Sequence, residues 1–295
     1  MEKRTIKNTA EEYLTWLQVE RRFAPSSIVS YRSRLKGIMR DIGDMEIKNI
    51  TTEHIFKLKS ILYERDNSEV FTGVVMASIK GLLLYSKDQL KIPIQIDPDA
   101  ITIPKRKKKE VIYLTVDEIN RFRNSINIST GCGLRFRALV ETLLGTACRI
   151  SEALSLNRDS ISKVEKEARI IGKGSKERAL YFNEESLFWI DKYLRSRMDK
   201  CEALFVTTGE KPRRLRNQDL SRYFKRQRIL AGISKKVTPH ICRHTAATTM
   251  AMNNCSAIFI KEILGHSRLQ TSIDYYISLA DRQKVKMAHK QYLKY

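Results

Sequence analysis

Apolar residues recur every three or four positions in the first third of the chain, and this spacing predicts amphipathic helices. The pattern places helices at residues 8–20, 26–41, 51–63 and 68–85. In the last of these the predicted buried stripe consists of Val74, Val75, Ile79, Leu82 and Leu83. Four helices that each bury one face predict a small all-helical N-terminal domain. We expect no segment of the chain to be long and apolar enough to span a membrane.

Prolines at positions 93, 98 and 104 interrupt this pattern and lead into a basic pentad. The pentad consists of Lys105, Arg106, Lys107, Lys108 and Lys109. We interpret residues 101–112 as a basic linker between a domain at 1–100 and a second domain at 113–295. The pentad is expected to follow DNA phosphates, and an ordinary solvated run of charge is the alternative.

The second domain mixes helical and strand patterns. A helix is predicted to begin at Thr115 and an apolar helix to cover residues 134–147. Residues 168–171 and 178–182 flank a Gly-Lys-Gly turn, which predicts a β-hairpin with Lys173 near its tip. Helical patterns return after about residue 184. The chain is therefore predicted to be mainly α with a small β-sheet in its second domain.

Composition indicates which kind of partner the protein binds and in which cell compartment it lies. The 295 residues carry 55 Lys and Arg against 33 Asp and Glu, a net charge of +22, which favours a polyanion such as nucleic acid. The first residues lack the apolar run of a secretory signal, so we expect a reducing cytoplasm. The five cysteines form no Cys-x-x-Cys pair and are interpreted as thiols, so no metal site is predicted.

His240 and Arg243 lie three residues apart after Thr238-Pro239, a good start for a helix. We expect both side chains in the first helical turn, where backbone N–H groups and the helix dipole favour an anion. Such a pair alone is common on protein surfaces. It gains meaning only from the other groups around it in the sequence.

Arg149 is a second candidate for anion binding, because two planar guanidinium groups suit the non-bridging oxygens of a phosphate. Glu152 could orient Arg149 or a neighbouring histidine, and a local ion pair is the alternative. Lys173 could be a mobile acid that protonates a leaving oxygen, or an exposed turn lysine. His266 follows Leu264-Gly265, and Tyr275 and Tyr276 follow it. Helical geometry lets only one of these two hydroxyls face a phosphate.

These segments, in this order, resemble the tyrosine recombinases, a site-specific recombinase family that includes phage integrases and the Xer proteins, and within it the compact two-domain Xer-like type. The resemblance implies a helical core-binding domain followed by an α+β catalytic domain. It also implies that Tyr275, nine residues after His266, attacks the scissile phosphate to give a 3′-phosphotyrosyl link. Arg149, Arg243 and His266 would stabilise the phosphorane, Lys173 would protonate the 5′ oxygen, His240 would assist proton transfer and Glu152 would support the site.

The resemblance further implies the partners. The substrate would be double-stranded DNA with an inverted-repeat site. The protein would act on two duplexes as a homotetramer, or in an assembly shared with a paralogous recombinase. The assembly would exchange strands through a Holliday junction without metal or other cofactor. Chromosome dimer resolution or mobile-element integration and excision would follow. Two alternatives are relaxation of DNA by a type IB topoisomerase-like enzyme and a non-catalytic DNA-binding protein.

A further basic cluster lies between residues 213 and 228, ends at Arg228, and has Tyr223 and Phe224 among its charges. The predicted DNA contacts in it are Arg213, Arg214, Arg216, Arg222, Lys225 and Arg226. We expect these residues to hold backbone phosphates, which positions a duplex without reading its sequence.

Overall fold

The computed structural model describes residues 4–104, 112–171 and 177–265, together with Asp281 and Val285. The chain divides into two compact units, residues 1–109 and 110–295. Most of the predicted linker lies outside the described residues. Ile101, which the sequence interpretation assigned to the linker, is instead buried in the core of the first unit, because the chain continues to pack on that unit after Pro98–Ala100.

The first unit is helical, as predicted. Its helices are α1 (Ile6–Val19), α2 (Pro25–Ile42), α3 (Thr52–Glu64) and α4 (Glu69–Asp88). Side-chain caps fix two of their starts, since the hydroxyl of Thr5 accepts from the N–H of Asn8 and that of Ser68 from Phe71. All four predicted helices begin and end within three residues of the observed bounds.

Helix α4 corrects the expectation about membrane spans. Among the described residues it is the one helix that is long and apolar enough to cross a membrane by length and composition. Its buried stripe includes Met76, Ile79, Leu82 and Leu83, and the helix packs against α1 and α2. Because α4 packs against α1 and α2, its apolar composition is that of a helix in the core of a domain.

The second unit combines seven described helices with a small sheet. Its elements are α5 (Val116–Asn124), α6 (Gly131–Thr146), α7 (Ile150–Ser155), β1 (Ile161–Ser162), β2 (Glu167–Ile171), β3 (Glu177–Tyr181), α8 (Glu184–Arg195), α9 (Ser221–Leu230), α10 (Pro239–Met252) and α11 (Ala257–Leu264). Helix α6 begins three residues before its predicted start at Leu134, because the Thr130 hydroxyl caps it through the N–H of Gly133.

The sheet is antiparallel with the order β1-β2-β3. The predicted hairpin is confirmed, with Ile171 paired to Glu177 and Ala168 to Leu180. Strand β1 was missed because two residues are too short to show alternation. The expectation that the chain is helical throughout after about residue 184 was wrong between α8 and α9. There the chain forms an isolated bridge between Val206 and Arg214 and a short 3-10 helix at Asn217–Leu220.

Helix α6 runs through the centre of this unit and packs against α8 and α10. Small residues on α10, including Ala246, Ala247 and Ala251, form a second buried cluster with Ile260 and Leu264 of α11. The close packing that alanines allow brings the C-terminal ends of α6 and α11 to the N-terminal half of α10. The predicted arginines meet at this place.

Candidate active site

Arg149 is positioned by the sharp end of α6. Ala147 adopts a left-handed conformation with φ of 52°, and the N–H of the buried Cys148 donates to the hydroxyl of Thr146 at 3.2 Å. Arg149 then becomes the N-cap residue of α7, with about a third of its side chain exposed (35%). The turn therefore separates a buried backbone from a partly accessible guanidinium.

Glu152 is the buried anchor of the site, with a relative exposure of 6%. Its Oε2 accepts from the backbone N–H of Arg149 at 2.6 Å and from Nη2 of Arg178 at 2.8 Å. Its Oε1 accepts from Nη1 of Arg149 at 2.9 Å. Burial by itself raises the pKa of this carboxyl, but the hydrogen bonds from Arg178 and Arg149 outweigh it and hold the pKa below its usual value. Glu152 is therefore ionised.

Arg243 is almost completely buried, with 4% of its surface exposed. Its Nη1 donates to the carbonyl oxygen of Ala147 at 2.9 Å and its Nη2 to that of Leu264 at 2.5 Å. Burial and the nearby charge of Arg149 lower its pKa to about 10, so it remains a cation at neutral pH. The prediction placed Arg243 in the first turn of its helix. It is the fifth residue of α10, because the helix begins at Pro239, and its side chain starts the second turn.

Arg178 is a member of this cluster that the sequence interpretation missed. Its Nη2 bonds Glu152, and its Nη1 donates to the carbonyl oxygen of Ile263 at 2.7 Å. A signal was present, because Arg178 lies two residues before Leu180 on β3 and so shares its buried face. A basic residue on a buried strand face requires a carboxylate partner.

His240 is the second residue of α10, directly after Pro239. The hydroxyl of Thr238 caps the helix by accepting from the N–H of Ile241 at 3.3 Å, as the sequence predicted. Desolvation by the surrounding protein, followed by the charges of Arg243 and Arg149, lowers the pKa of His240 below its usual value. The ring is therefore neutral at pH 7. It lies edge-on to His244, with the ring centroids 4.1 Å apart.

Gly265 ends α11 in the left-handed conformation, with φ of 58°. Its carbonyl oxygen accepts from Nη2 of Arg149 at 3.1 Å. A Cβ atom at this position would lie only 2.8 Å from Cδ of Arg178, so glycine permits the close approach of that side chain. His266 is the next residue in the chain, but it lies outside the described residues, as do Lys173, Tyr275 and Tyr276.

The predicted DNA contacts separate into two groups. Arg214 is engaged internally, since its Nη1 donates to the carbonyl oxygens of Leu154 and Leu156 at 2.9 Å each. Arg213 is exposed and paired with Asp219. The remaining members of this cluster are also exposed: Arg216, Arg222, Lys225 and Arg226. The basic pentad at residues 105–109 lies outside the described residues.

The cluster can bind an anion. Three guanidinium groups surround one carboxylate, which leaves two uncompensated positive charges around Glu152. Each terminal guanidinium nitrogen of Arg149 and Arg243 carries two hydrogens, and the described contacts use one of them. Among the described residues no group of three or more His, Cys, Asp or Glu side chains is arranged to hold a metal ion.

Profiles of known protein families match both units of the chain. The profile of the phage integrase family matches residues 112–283, and that of the phage integrase N-terminal SAM-like domain matches residues 5–62. The chain belongs to the phage integrase family. Members of this family are tyrosine recombinases, and the chain is accordingly an enzyme of site-specific recombination that cleaves and rejoins DNA.

Individual members of the phage integrase family match along most of their length. Tyrosine recombinase XerD of Corynebacterium glutamicum is 30% identical over 288 residues, which cover 92% of this chain and 94% of the relative. Tyrosine recombinase XerD of Oceanobacillus iheyensis is 27% identical over 281 residues, with coverages of 92% and 93%. A lambda integrase tetramer bound to a Holliday junction matches with a TM-score of 0.74 at 19% identity, over 93% of this chain and 78% of that one, which shows the shared fold.

Proposed function

We propose that Arg149 and Arg243 bind the scissile phosphate of a DNA strand and that Tyr275 is the nucleophile. The observation that carries this proposal is the convergence of both arginines at Glu152, next to Gly265. The backbone carbonyls of Ala147 and Leu264 hold Arg243 in place before substrate arrives. Preorganised donors of this kind stabilise the charge that develops on phosphate oxygens in the transition state.

The proposed step is a transesterification. The Tyr275 oxygen forms a bond to phosphorus, and the bond between phosphorus and the 5′ oxygen breaks. Lys173 supplies a proton to that leaving oxygen, while the phenol proton passes to a neighbouring base. The product is a 3′-phosphotyrosyl link with a free 5′ hydroxyl. Attack by a 5′ hydroxyl from the partner strand reverses the step and rejoins the DNA.

The two histidines have different proposed tasks. His266 would donate a hydrogen bond to the phosphorane, because it follows Gly265, whose carbonyl contacts Arg149. His240 is neutral at pH 7 and has a ring nitrogen able to accept a proton, which suits it to assist proton transfer. Positive charge comes from the arginines in this scheme, which uses no metal and no cofactor.

The proposed substrate is double-stranded DNA with an inverted-repeat site, bound by four copies that act on two duplexes. This assembly is supported by the likeness to a lambda integrase tetramer described on a Holliday junction. The likeness to XerD proteins supports chromosome dimer resolution, with mobile-element integration or excision as the other outcome and a paralogous recombinase as the alternative partner. Such a protein would be DNA-associated in the cytoplasm.

DNA outside the scissile phosphate would be held by the exposed basic residues. Arg222, Lys225 and Arg226 lie on α9 with no ion pair to a described carboxylate. The linker pentad, residues 105–109, is proposed to follow DNA phosphates between the two domains. Arg214 is less available, because its guanidinium already bonds backbone carbonyls.

The two adjacent tyrosines test the proposal. Tyr275→Phe should give no covalent protein–DNA adduct on a nicked substrate that traps the intermediate, while it still binds the site. Tyr276→Phe should form adduct at the rate of the unaltered protein. Adduct from Tyr275→Phe but none from Tyr276→Phe, read on a denaturing gel, would contradict the assignment.

A further inference from the structure

Arg178 joins three elements of the second unit through one guanidinium. The residue lies on β3, its Nη2 donates to Oε2 of Glu152 on α7 at 2.8 Å, and its Nη1 donates to the carbonyl oxygen of Ile263 on α11 at 2.7 Å. Only 12% of the side chain is exposed, so water does not replace either partner readily. These contacts connect Arg178 to Glu152, the carboxylate that also holds Arg149.

The stem of Arg178 also lies against the end of α11. A Cβ on Gly265 would be 2.8 Å from both Cδ and Nε of Arg178, which shows how closely backbone and side chain approach. The carbonyl of the same glycine accepts a hydrogen bond from Arg149. Arg178 therefore supports Arg149 from two directions, through the carboxylate of Glu152 and through the backbone of Gly265.

We propose that Arg178 is a positioning residue for DNA cleavage: it fixes Glu152 and the end of α11, and through them the guanidinium of Arg149. The proposal rests on the function assigned to Arg149 above. Arg178 has no role in the proposed chemistry. Both of its terminal guanidinium nitrogens donate to protein acceptors, and its buried Nε has no hydrogen-bond partner among the described residues. Arg178 acts by holding a phosphate-binding group in its productive orientation.

The geometry requires arginine and not only a positive charge. A lysine offers a single nitrogen on a flexible stem, so it cannot bond Glu152 and Ile263 in the directions of a planar fork. Arg178→Lys should keep the charge beside Glu152 and lose the bond to α11. It should recover part of the activity that Arg178→Ala loses.

The test is single-turnover cleavage of a trapping substrate at saturating protein. Arg178→Ala should cleave about 10²-fold more slowly, the usual effect of a misplaced reacting group, with site affinity nearly unchanged. Arg169→Ala is the matched control. Arg169 is an exposed arginine on β2 of the same hairpin and makes no described contact with Glu152. The control should cleave at the unaltered rate. Urea unfolding followed at Trp189 in a Trp16→Phe background shows whether each variant is folded.

A double-mutant cycle separates positioning from a general loss of structure. If Arg178 acts through Glu152, the cleavage losses of Arg178→Ala and Glu152→Gln should be strongly non-additive. Simple multiplication of the two losses would overturn the proposal, as would a rate for Arg178→Ala equal to that of the control. If Arg178→Ala does not fold, the cycle is repeated with Arg178→Lys in its place. Simple multiplication of the losses, or a rate for Arg178→Lys equal to that of the control, would then overturn the proposal.

The pH dependence gives a second readout. Glu152 is faced by Arg149 and Arg178, by Arg243 at 3.9 Å, and by Cys148, a buried thiol whose raised pKa keeps it neutral. Without Arg178 the carboxylate is less stabilised, so the acidic limb of the cleavage profile should move to higher pH. An unmoved limb would contradict the proposal. Failure of the assignment of Arg149 looks different, because Arg149→Ala would then cleave at the rate of the unaltered protein, whatever the Arg178 variants do.

Discussion

Nη2 of Arg243 donates a hydrogen bond to the carbonyl oxygen of Leu264, 2.5 Å away. The bond joins the second turn of α10 to the last residue of α11, one position before Gly265. Nη1 of the same side chain bonds Ala147 at the end of α6. A buried cation thus joins the C-terminal ends of α6 and α11 to α10, and its remaining N–H groups are left for a ligand.

Replacing Arg243 should affect cleavage more than binding. Arg243→Lys keeps a charge but cannot bond Ala147 and Leu264 together, and we expect cleavage to fall about 10²–10³-fold, as for loss of a preorganised donor. Arg228→Lys is the control, because Arg228 also donates to two backbone carbonyls, those of Ile233 and Ser234, away from the site. Single-turnover cleavage and gel-shift affinity measure the two effects. Equal cleavage by both variants would contradict the assignment.

The helices were predictable because their causes are local. Period and capping defined α1 to α4, and the Thr238-Pro239 start located His240 and Arg243 on α10. The order of the candidate groups along the chain was sufficient to recognise the family. These features depend on neighbours within a few residues, which the sequence displays directly.

The remaining features depend on contacts between distant segments. Glu152 and Arg178 are 26 residues apart, and no spacing rule connects them. The local sequence around Arg214 is typical of a surface cation. Its guanidinium nevertheless donates hydrogen bonds to carbonyl oxygens 58 and 60 residues earlier in the chain. Ile101 follows a proline-rich stretch, yet it is buried. In each case tertiary packing decides the role of a residue whose local sequence is typical of another one.

Gly265→Ala should slow cleavage, and Arg178→Ala should mask that effect. The added Cβ would displace the stem of Arg178 and force a residue with a side chain into a left-handed conformation, at about 1 kcal/mol. In a background that lacks the Arg178 side chain, the clash is gone. Cleavage by the double variant should therefore match Arg178→Ala within about five-fold, since only the backbone term of about 1 kcal/mol remains. A further loss beyond that range would mean that Gly265 acts independently of Arg178.

Glu152→Gln should change how stability depends on acid. The pKa of Glu152 is lowered in the folded state, so its ionised form contributes stability that is complete above pH 4.5 and lost as pH falls through the folded pKa. At neutral pH the variant should be less stable by about 3–5 kcal/mol, because three guanidinium groups lose their counter-charge. The gap should narrow below pH 4.5.

The chain's two tryptophans allow this measurement in the full protein. Trp16 lies in the first unit and Trp189 in the second, so a Trp16→Phe background leaves Trp189 to report on the unit that contains Glu152. Urea unfolding across the acid range then gives the difference in stability between this background and the same background carrying Glu152→Gln. A gap that stays constant between about pH 3 and pH 6 would show that Glu152 does not titrate as its contacts imply.

Lys173 is tested by changing the leaving atom. If Lys173 protonates the 5′ oxygen, Lys173→Ala should stall on normal DNA and recover when that oxygen is replaced by sulfur, which leaves without protonation. Arg149→Ala should not recover, because it acts on the non-bridging oxygens. Trapped adduct measured with both substrates separates these cases. Equal recovery of the two variants would mean that Lys173 contributes charge and not a proton.

The last prediction concerns residues 281–295, beyond every proposed catalytic group. Val285, Ala288, Tyr292 and Tyr295 recur at helical spacings and form a narrow apolar stripe. A stripe folded back on its own domain is the alternative to docking on a neighbouring copy. Val285, the member that the structure describes, is 69% exposed, which favours docking. Removal of residues 281–295 should therefore leave single-site binding nearly intact and weaken assembly of the complex that holds two sites.

A point variant makes the same test without deleting chain. Val285→Asp puts a charge on the stripe, and Val164→Asp makes the same change at another exposed valine, in the turn between β1 and β2. Native gels should show loss of the two-site complex for Val285→Asp and for the truncation but not for Val164→Asp. Recombination should fall further than binding, because strand exchange needs every copy in the assembly. If the truncated protein and Val285→Asp both assemble and recombine at the full rate, the stripe does not dock on a neighbour.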